Sequence, residues 1–169
     1  VEKSMHLIEQ LAERGAREVV FLDPTFNHRP EFESFLRALA QLNQKHALSF
    51  FAEIRSEGLK PHHAELMAQC GFSKVEIGLQ SVNPETIKRI KRGGSAEKVI
   101  EATRMLRQHG ISAIVDLIIG LPGDTVDDIK HGIDFLITHQ LAELAQVFPL
   151  AVLPGTAMRS DAQREGLIF

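Results

Sequence analysis

Several polar residues interrupt stretches of the sequence that otherwise have the apolar character of buried β-strands. They are Glu53, Arg55, Glu76, Gln80 and Asp116. Burial of such side chains without partners is costly, which leaves two arrangements open. The residues form internal ion pairs, for instance Arg55 with Glu53 or Glu76, or they line a cavity that binds a polar molecule.

The position of these residues along the strands favours the cavity. Three strands show the same break in polarity, and two of them show it near their carboxyl ends. Ligands of α/β sheets and barrels bind at those ends. The pattern therefore predicts a polar-lined pocket in an α/β protein and does not by itself indicate a reaction. An unrelated α/β enzyme that uses Glu53, Glu76 or Asp116 as an acid–base group remains an alternative.

Two loops carry weaker signals. The loop from 120 to 125 is rich in glycine but lacks the lysine of a phosphate-binding P-loop, so a tight strand-to-helix turn is the preferred interpretation. A basic run precedes Gly93-Gly94 and consists of Lys88, Arg89, Lys91 and Arg92. Such a run is typical of a solvated helix end, from which one arginine could bind a carboxylate or a phosphate.

The histidines and the cysteine offer little chemistry by themselves. Adjacent residues of a helix point in different directions, so His62 and His63 are expected to be surface residues rather than metal ligands. Cys70 lies in the apolar part of a predicted helix and is expected in the core. With this one cysteine, the chain forms no intrachain disulfide and builds no multi-cysteine metal or iron–sulfur site.

Short strand-like segments alternate with longer helical ones. Strands are predicted at Glu18–Leu22, Leu48–Ile54, Lys74–Leu79, Ser112–Ile119 and Leu144–Val152. Helices are predicted between them, with Gly71 and Gly110 as stops and Asn83 and Thr125 as N-caps. The spacing of the strands fits β-helix-β crossovers, which place strands parallel. Either an open doubly wound sheet or part of a barrel satisfies this order, since a closed eight-stranded barrel needs more strands.

The composition is that of an ordinary soluble globular protein. The chain has 169 residues, a net charge of −3 and 44% hydrophobic residues, which predicts a single domain over residues 1–169. A strongly basic field is absent, so neither nucleic acid nor an anionic membrane is an expected partner. The charged start shows no secretory signal, and we expect a cytoplasmic protein. The chain begins at Val1 rather than at a methionine, which is consistent with processing or with a preceding segment.

Three strings, in the same order, resemble the radical S-adenosylmethionine (SAM) enzymes. They are Val75–Arg92, Val115–Thr125 and Pro149–Thr156. Val19–Asn27 is similar to the second barrel strand of the subgroup that often carries an upstream cobalamin domain, which makes cobalamin a possible further cofactor. The resemblance implies an α/β fold, a partial (β/α) barrel that is TIM-like, open and six-stranded. This chain would supply strands two to six, or about five β-α units.

The same resemblance assigns cofactor-binding roles to individual residues. It implies that Glu53 contacts the SAM moiety, that Gln80 lies at the cofactor and that Arg92 pairs with the SAM carboxylate. It further implies that Asp116 lies near the ribose. The family's Gly-Gly-Glu string, which meets the cofactor amino group, is replaced here by a segment in which Asp23 and Thr25 are the corresponding candidates.

The implied function is that of a larger parent enzyme. Its 4Fe–4S cluster would cleave SAM reductively to a 5′-deoxyadenosyl radical that abstracts hydrogen from a substrate. The family's Cys-x-x-x-Cys-x-x-Cys loop is missing from this chain, so we expect the fragment alone to be inactive and to hold no catalytic residue and no metal. A cluster-free binding or structural domain is the alternative. A missing first strand would leave a sheet edge open, and we expect self-association or a covering helix there.

Overall fold

The computed structural model describes residues 1–166 as a parallel sheet with helices packed on one face. The strands are β1 Glu18–Phe21, β2 Ser49–Ile54, β3 Lys74–Gln80, β4 Ser112–Ile119 and β5 Ala145–Pro149. The helices are α1 Glu2–Glu13, α2 Phe32–Asn43, α3 Pro61–Cys70, α4 Pro84–Arg89, α5 Ala96–Gln108, α6 Val126–Thr138 and α7 Ala157–Arg164. Short 3-10 turns occupy Phe26–His28 and Ala142–Leu144.

The order of the strands decides between the two architectures left open by the sequence. All four neighbouring pairs are parallel, and the strands lie side by side in the order β1-β2-β3-β4-β5. A doubly wound sheet would reverse its direction of growth at a switch point, whereas barrels add strands in sequence order. The fold is therefore a partial barrel of five parallel strands, as predicted.

The predicted strands are all present, and the ends differ where pairing stops. The largest difference is at β5, which was predicted to continue to Val152. Leu150 still donates its N–H to the carbonyl oxygen of Ile119, but β4 ends at Ile119 and offers no further partner. Helix α7 was not among the predicted helices. Within residues 1–166, no helix is both long and apolar enough to cross a lipid bilayer.

The two faces of the sheet differ in character. Along β3, Val75, Ile77 and Leu79 are buried beneath the helices, while Glu76 and Gln80 are only partly buried on the other face. The helix side is filled mainly by aliphatic side chains and includes a cluster of aromatic rings whose neighbouring centroids lie 4.5 to 6.1 Å apart, contributed by Phe21, Phe26, Phe35, Phe50 and Phe72. The helices thus cover the apolar face of the sheet, and the polar face is available to bind a ligand.

Asn43, the last residue of α2, joins three segments by hydrogen bonds. Its amide nitrogen donates to the carbonyl oxygens of Leu48, at 2.8 Å, and of Cys70, at 2.6 Å, and its Oδ1 accepts from the Leu48 N–H at 2.6 Å. Gly71, which directly follows Cys70 at the end of α3, has a φ of 106°, and a Cβ there would lie 2.6 Å from the Leu48 oxygen. Gly71 is therefore required as the stop of α3, as predicted.

Cys70 lies in the core, as predicted. Its Sγ donates to the carbonyl oxygen of Leu36 at 2.9 Å. Burial raises the pKa of the Cys70 thiol to about 12, so the thiolate is not available for ligation or nucleophilic chemistry at neutral pH.

We expect Asn43→Ala to lower the free energy of unfolding by about 2 kcal/mol, because it leaves a backbone N–H and two carbonyl oxygens without their partner. Urea denaturation measures the change. Gln41→Ala, an exposed position on the same helix, is the matched control and should change stability by less than about 0.5 kcal/mol. Equal effects of the two substitutions would contradict the role assigned to Asn43.

Candidate cofactor-binding site

The strand register brings three carboxylates together on the polar face of the sheet. Glu53 of β2 lies directly opposite Glu76 of β3. Two residues further along β3, Gly78 lies opposite Asp116 of β4. The three acids therefore occupy adjacent strands on one face, and Glu53 lies near the carboxyl end of its strand, where α/β proteins bind ligands.

Asp116 is the most constrained of the three. It is only 7% exposed, and its Oδ1 has no hydrogen-bond partner. Burial, a hydrogen bond with Glu76 and repulsion from Glu76 and Glu53 raise the pKa of Asp116 to about 8, and Arg92 opposes the shift. A carboxyl group in this state is mostly protonated at neutral pH and offers its free oxygen to a ligand.

Arg92 lies against the same strands without an ionic partner. Its Nη2 donates to the carbonyl oxygen of Gly78 at 3.1 Å. Within residues 1–166, no ion pair engages Arg92. Burial, followed by repulsion from Arg55, lowers the pKa of the guanidinium, and Glu57 and Asp116 counteract this. A bound anion would relieve this desolvated positive charge.

Gly78 makes room for both Arg92 and Gln80. A Cβ at this position would lie 2.2 Å from the Gln80 Nε2 and 2.9 Å from the Arg92 Nη2. The register with β4 shifts between Gly78 and Gln80, and Gln80 has a φ of 69°. Such a bulge re-aims the following side chain, and backbone strain of this kind concentrates at functional sites. The role of Gly78 was not predicted, although a glycine inside a strand is a signal for close approach.

Arg55 is paired, but not with the residues considered from the sequence. Its guanidinium binds Glu57, with Nη2 to Oε1 at 2.7 Å and Nε to Oε2 at 3.2 Å. The suggested pairing with Glu53 or Glu76 is wrong, because Glu57 lies beyond the strand end, where the chain turns back toward Arg55. Among the described residues, no ion pair gives Glu53 or Glu76 the basic partner that the ion-pair arrangement required.

A hydrogen-bond network holds the segment that follows Arg92. Arg55 Nη2 reaches the Gly93 oxygen at 3.4 Å, and Glu57 packs so closely on Gly94 that a Cβ there would lie 2.4 Å from Oε1. The Asn27 side chain binds both the N–H and the carbonyl oxygen of Arg55, at 2.9 and 2.8 Å. The sequence pattern did not indicate Asn27 or Glu57, because both act through loop geometry.

Asp23 and Thr25 lie in the exposed loop after β1. Asp23 is ion-paired with Arg29 at 2.5 Å, and Arg29 also stacks over the rings of Phe26 and Phe35. Thr25 is exposed and precedes the 3-10 turn. In the part of the chain that the structure describes, no hydrogen bond or ion pair joins these two residues to the cluster formed by Glu53, Gln80, Arg92 and Asp116.

A cavity of about 770 Å³ opens at the carboxyl ends of β4 and β5. Its wall is mainly apolar and includes Ile119, Leu150 and Met158, while Arg89 and Lys91 contribute positive charge. Lys91 directly precedes Arg92 in the chain, whereas Arg92 itself lines a separate, smaller cavity together with Gly78. An apolar cavity with a few polar groups is the common form of a small-molecule site.

The comparison with known protein families agrees with this geometry. The profile described as the radical SAM superfamily matches residues 1–136. The chain belongs to the radical SAM superfamily. The resemblance found in the sequence is thereby confirmed.

Individual proteins and solved structures match over smaller shares of their own length. A tRNA uridine(34) acetyltransferase of Methanocaldococcus infernus is 29% identical over 108 residues, which is 63% of this chain and 20% of that protein. The radical SAM methyltransferase TsrM of Kitasatospora setae, solved with cobalamin and a 4Fe–4S cluster, has a TM-score of 0.84 at 20% identity and matches 94% of this chain and 30% of TsrM. Coproporphyrinogen III oxidase of Escherichia coli, a radical SAM enzyme, has a TM-score of 0.69 at 19% identity over 90% of this chain and 38% of the oxidase. This chain thus spans between a fifth and two fifths of these proteins.

The residues of this chain fit one radical SAM cofactor and not the other. The unpaired Arg92, the free oxygen of Asp116 and the space at Gly78 suit a ligand with a carboxylate and hydroxyl groups, such as SAM. A 4Fe–4S cluster needs several exposed thiolates, whereas Cys70 is buried with its thiol engaged. No cluster is held by these residues.

We expect Asp116 to contribute stability that is lost as the pH rises from about 4 to about 8. The folded state keeps the Asp116 proton, which the unfolded chain releases at the ordinary carboxyl pKa near 4, so the folded state binds more protons in this window. Asp116→Asn should flatten this dependence and make the protein more stable than wild type at pH 8.5, by about 1–3 kcal/mol. Urea unfolding at pH 5 and pH 8.5 measures the effect.

The control for this prediction is Asp134→Asn on the exposed side of α6, which should keep the wild-type pH dependence. An unchanged pH dependence in Asp116→Asn would show that Asp116 is not the group that takes up the proton.

Proposed function

We propose that residues 1–169 form one domain that binds SAM within a larger radical SAM enzyme, which cleaves SAM reductively for hydrogen abstraction. The observation that carries the proposal is that two polar groups with unused binding capacity, Arg92 and Asp116, both lie next to Gly78. Arg92 is a partly buried cation without an ion pair, and Asp116 is a buried carboxyl with a free oxygen. Each is unfavourable in the free protein and favourable with a ligand that supplies an anion and a donor.

The charges of SAM are complementary to the site. Its carboxylate would bind the Arg92 guanidinium, and its ribose hydroxyls would bind Asp116 and Gln80. Its ammonium and sulfonium groups would offset the negative charge of Glu53 and Glu76, which lie opposite each other on neighbouring strands. Binding of the amino group by Asp23 would require Asp23 to leave Arg29, while Thr25 is already exposed.

The cluster would be contributed by residues outside this sequence. SAM and a reduced cluster together supply one-electron hydrogen abstraction, and the protein supplies orientation and exclusion of water. The network of Asn27, Arg55 and Glu57 serves orientation, because it fixes the segment that carries Arg92. The cavity at the ends of β4 and β5, with its apolar wall, would admit a substrate.

Three features of the whole enzyme belong to the same proposal. Cobalamin is included because TsrM, which shares the fold, carries it. A cytoplasmic location is included because cluster-ligating cysteines must stay reduced. Self-association, or pairing with a preceding strand, is included because Val20 and Leu22 lie exposed at the β1 edge of the sheet.

The test uses the longer protein that contains an upstream Cys-x-x-x-Cys-x-x-Cys loop. Reconstituted anaerobically with iron and sulfide and then reduced in the presence of SAM, it should release 5′-deoxyadenosine. Arg92→Lys should weaken SAM binding, measured by calorimetry, about 10- to 100-fold, because lysine cannot form the two parallel hydrogen bonds of a guanidinium with a carboxylate.

Arg104→Lys is the matched control, since Arg104 is exposed on α5, and it should bind SAM as wild type does. The proposal fails if the reconstituted protein shows neither cluster absorbance nor 5′-deoxyadenosine. Equal affinities of Arg92→Lys and the control would refute the role of Arg92 alone.

A further inference from the structure

A second cluster of ionisable side chains lies where α2 and α3 begin. Glu33 is in the first turn of α2, and His62 and His63 are in the first turn of α3. The Nε2 atoms of both histidines lie close to the same oxygen of Glu33, at 2.8 Å for His62 and 3.2 Å for His63. The cluster shares no residue with the candidate site around Arg92.

The expectation that both histidines are surface residues is wrong for His63. It is buried, and its ring stands edge-on to Phe32 with centroids 5.2 Å apart. The rings of His62 and His63 are 4.3 Å apart despite their adjacency in the helix. Side chains of the first turn have no preceding turn to clash with, so two neighbouring rings can converge there on a group from another helix.

The donor atoms form a set that binds divalent transition metals. Two imidazole nitrogens and one carboxylate oxygen are common ligands of Zn²⁺ at distances of about 2.0–2.2 Å. The three ligand atoms all lie within 4.8 Å of one another, so a modest adjustment places one ion in contact with all of them. Three protein ligands leave a fourth position for water.

We propose that Glu33, His62 and His63 bind a zinc-type divalent cation at the junction of α2 and α3. Hydrogen bonds from the two histidines lower the pKa of Glu33, so the carboxylate is ionised and ready to act as a ligand. Glu33 and His62 are both about half exposed, with side-chain exposures of 46%, so an ion reaches them directly from solvent.

Metal binding competes with one existing hydrogen bond. The Nδ1 of His63 accepts the backbone N–H of Lys60 at 3.2 Å, so in the neutral ring the proton sits on Nε2 and is donated to Glu33. A metal on Nε2 moves this proton to Nδ1, and the Lys60 N–H loses its acceptor. The lost hydrogen bond is part-buried and costs about 1–3 kcal/mol, which is small beside the strength of zinc ligation.

The location gives the ion a structural task. Helices α2 and α3 begin after β1 and β2, at the sheet edge that carries the candidate SAM site. The loop before α2 contains Asn27 and His28, which bind the backbone of Arg55 and Glu57 in the segment before α3. A cation that joins the first turns of the two helices would therefore stabilise both the loop before α2 and the segment before α3, which together position Arg92.

The first experiment is a calorimetric titration of the chain with zinc chloride in a buffer that does not bind metals. Wild type should bind one ion per chain. Glu33→Gln and His62→Ala should each weaken zinc binding by at least about tenfold, since each removes a ligand. His6→Ala is the control, because His6 is exposed on α1, where its ring hydrogen-bonds to Gln10, and it should leave the affinity unchanged.

The second measurement follows the Lys60 amide by NMR. Zinc should shift its resonance and speed its hydrogen exchange in wild type, because its hydrogen bond to His63 is lost, and should do neither in Glu33→Gln. Glu33 and His62 are at the surface, so thermal unfolding without zinc should show both variants folded. Absence of saturable binding in wild type, or unchanged affinity in both variants, would overturn the proposal whatever the outcome with SAM.

Discussion

The polar face of this sheet is governed by the repulsion and desolvation of carboxylates held on adjacent parallel strands. Glu53 and Glu76 are directly opposite each other, and Asp116 follows on the next strand with a pKa raised to about 8. Parallel register fixes the spacing between strands, so these groups cannot move apart without breaking the ladder. The apolar helix side anchors the same strands and maintains the unfavourable arrangement. A ligand that brings hydrogen-bond donors and positive charge would therefore stabilise these carboxylates.

Arg92 offsets the repulsion among the carboxylates only in part. Its position depends on residues that are not themselves expected to bind the ligand. Gly78 provides the space in which its guanidinium and the Gln80 amide lie. Arg55 and Glu57 hold the following glycine segment, and Asn27 holds Arg55 by both backbone groups. The guanidinium donates to the Gly78 oxygen and forms no ion pair with the acids among the described residues. A site in which cation and anions are fixed near each other but not paired is organised in advance for a ligand that carries both kinds of charge.

Much of the fold and several residues of the candidate site could be predicted from the sequence, because side chains alternate between the two faces of a strand and polar residues stand out in apolar strands. The alternation of side chains along strands located Glu53, Gln80 and Asp116 on one face, and the resemblance to radical SAM enzymes added Arg92. What could not be predicted depends on geometry beyond the strands. The partner of Arg55 proved to be Glu57, because a turn after β2 brings it back. Likewise, the convergence of His62 and His63 requires a carboxylate from α2, which no spacing within α3 reveals.

The two charged clusters differ in how completely the protein satisfies them, and this difference bears on what each can bind. Glu33 is an anion with two donors, so its cluster is stable without a ligand and gives up hydrogen bonds when an ion enters. Asp116 retains a buried oxygen without a partner, and Arg92 retains a charge without an ion pair, so their cluster gains hydrogen bonds on binding. A ligand at the strand ends therefore relieves an existing cost, whereas a metal at the helix starts must outcompete contacts already made. Affinity at the strand ends is therefore set mainly by the unsatisfied groups of this chain. Affinity at the starts of α2 and α3 is set mainly by the coordination strength of the ion.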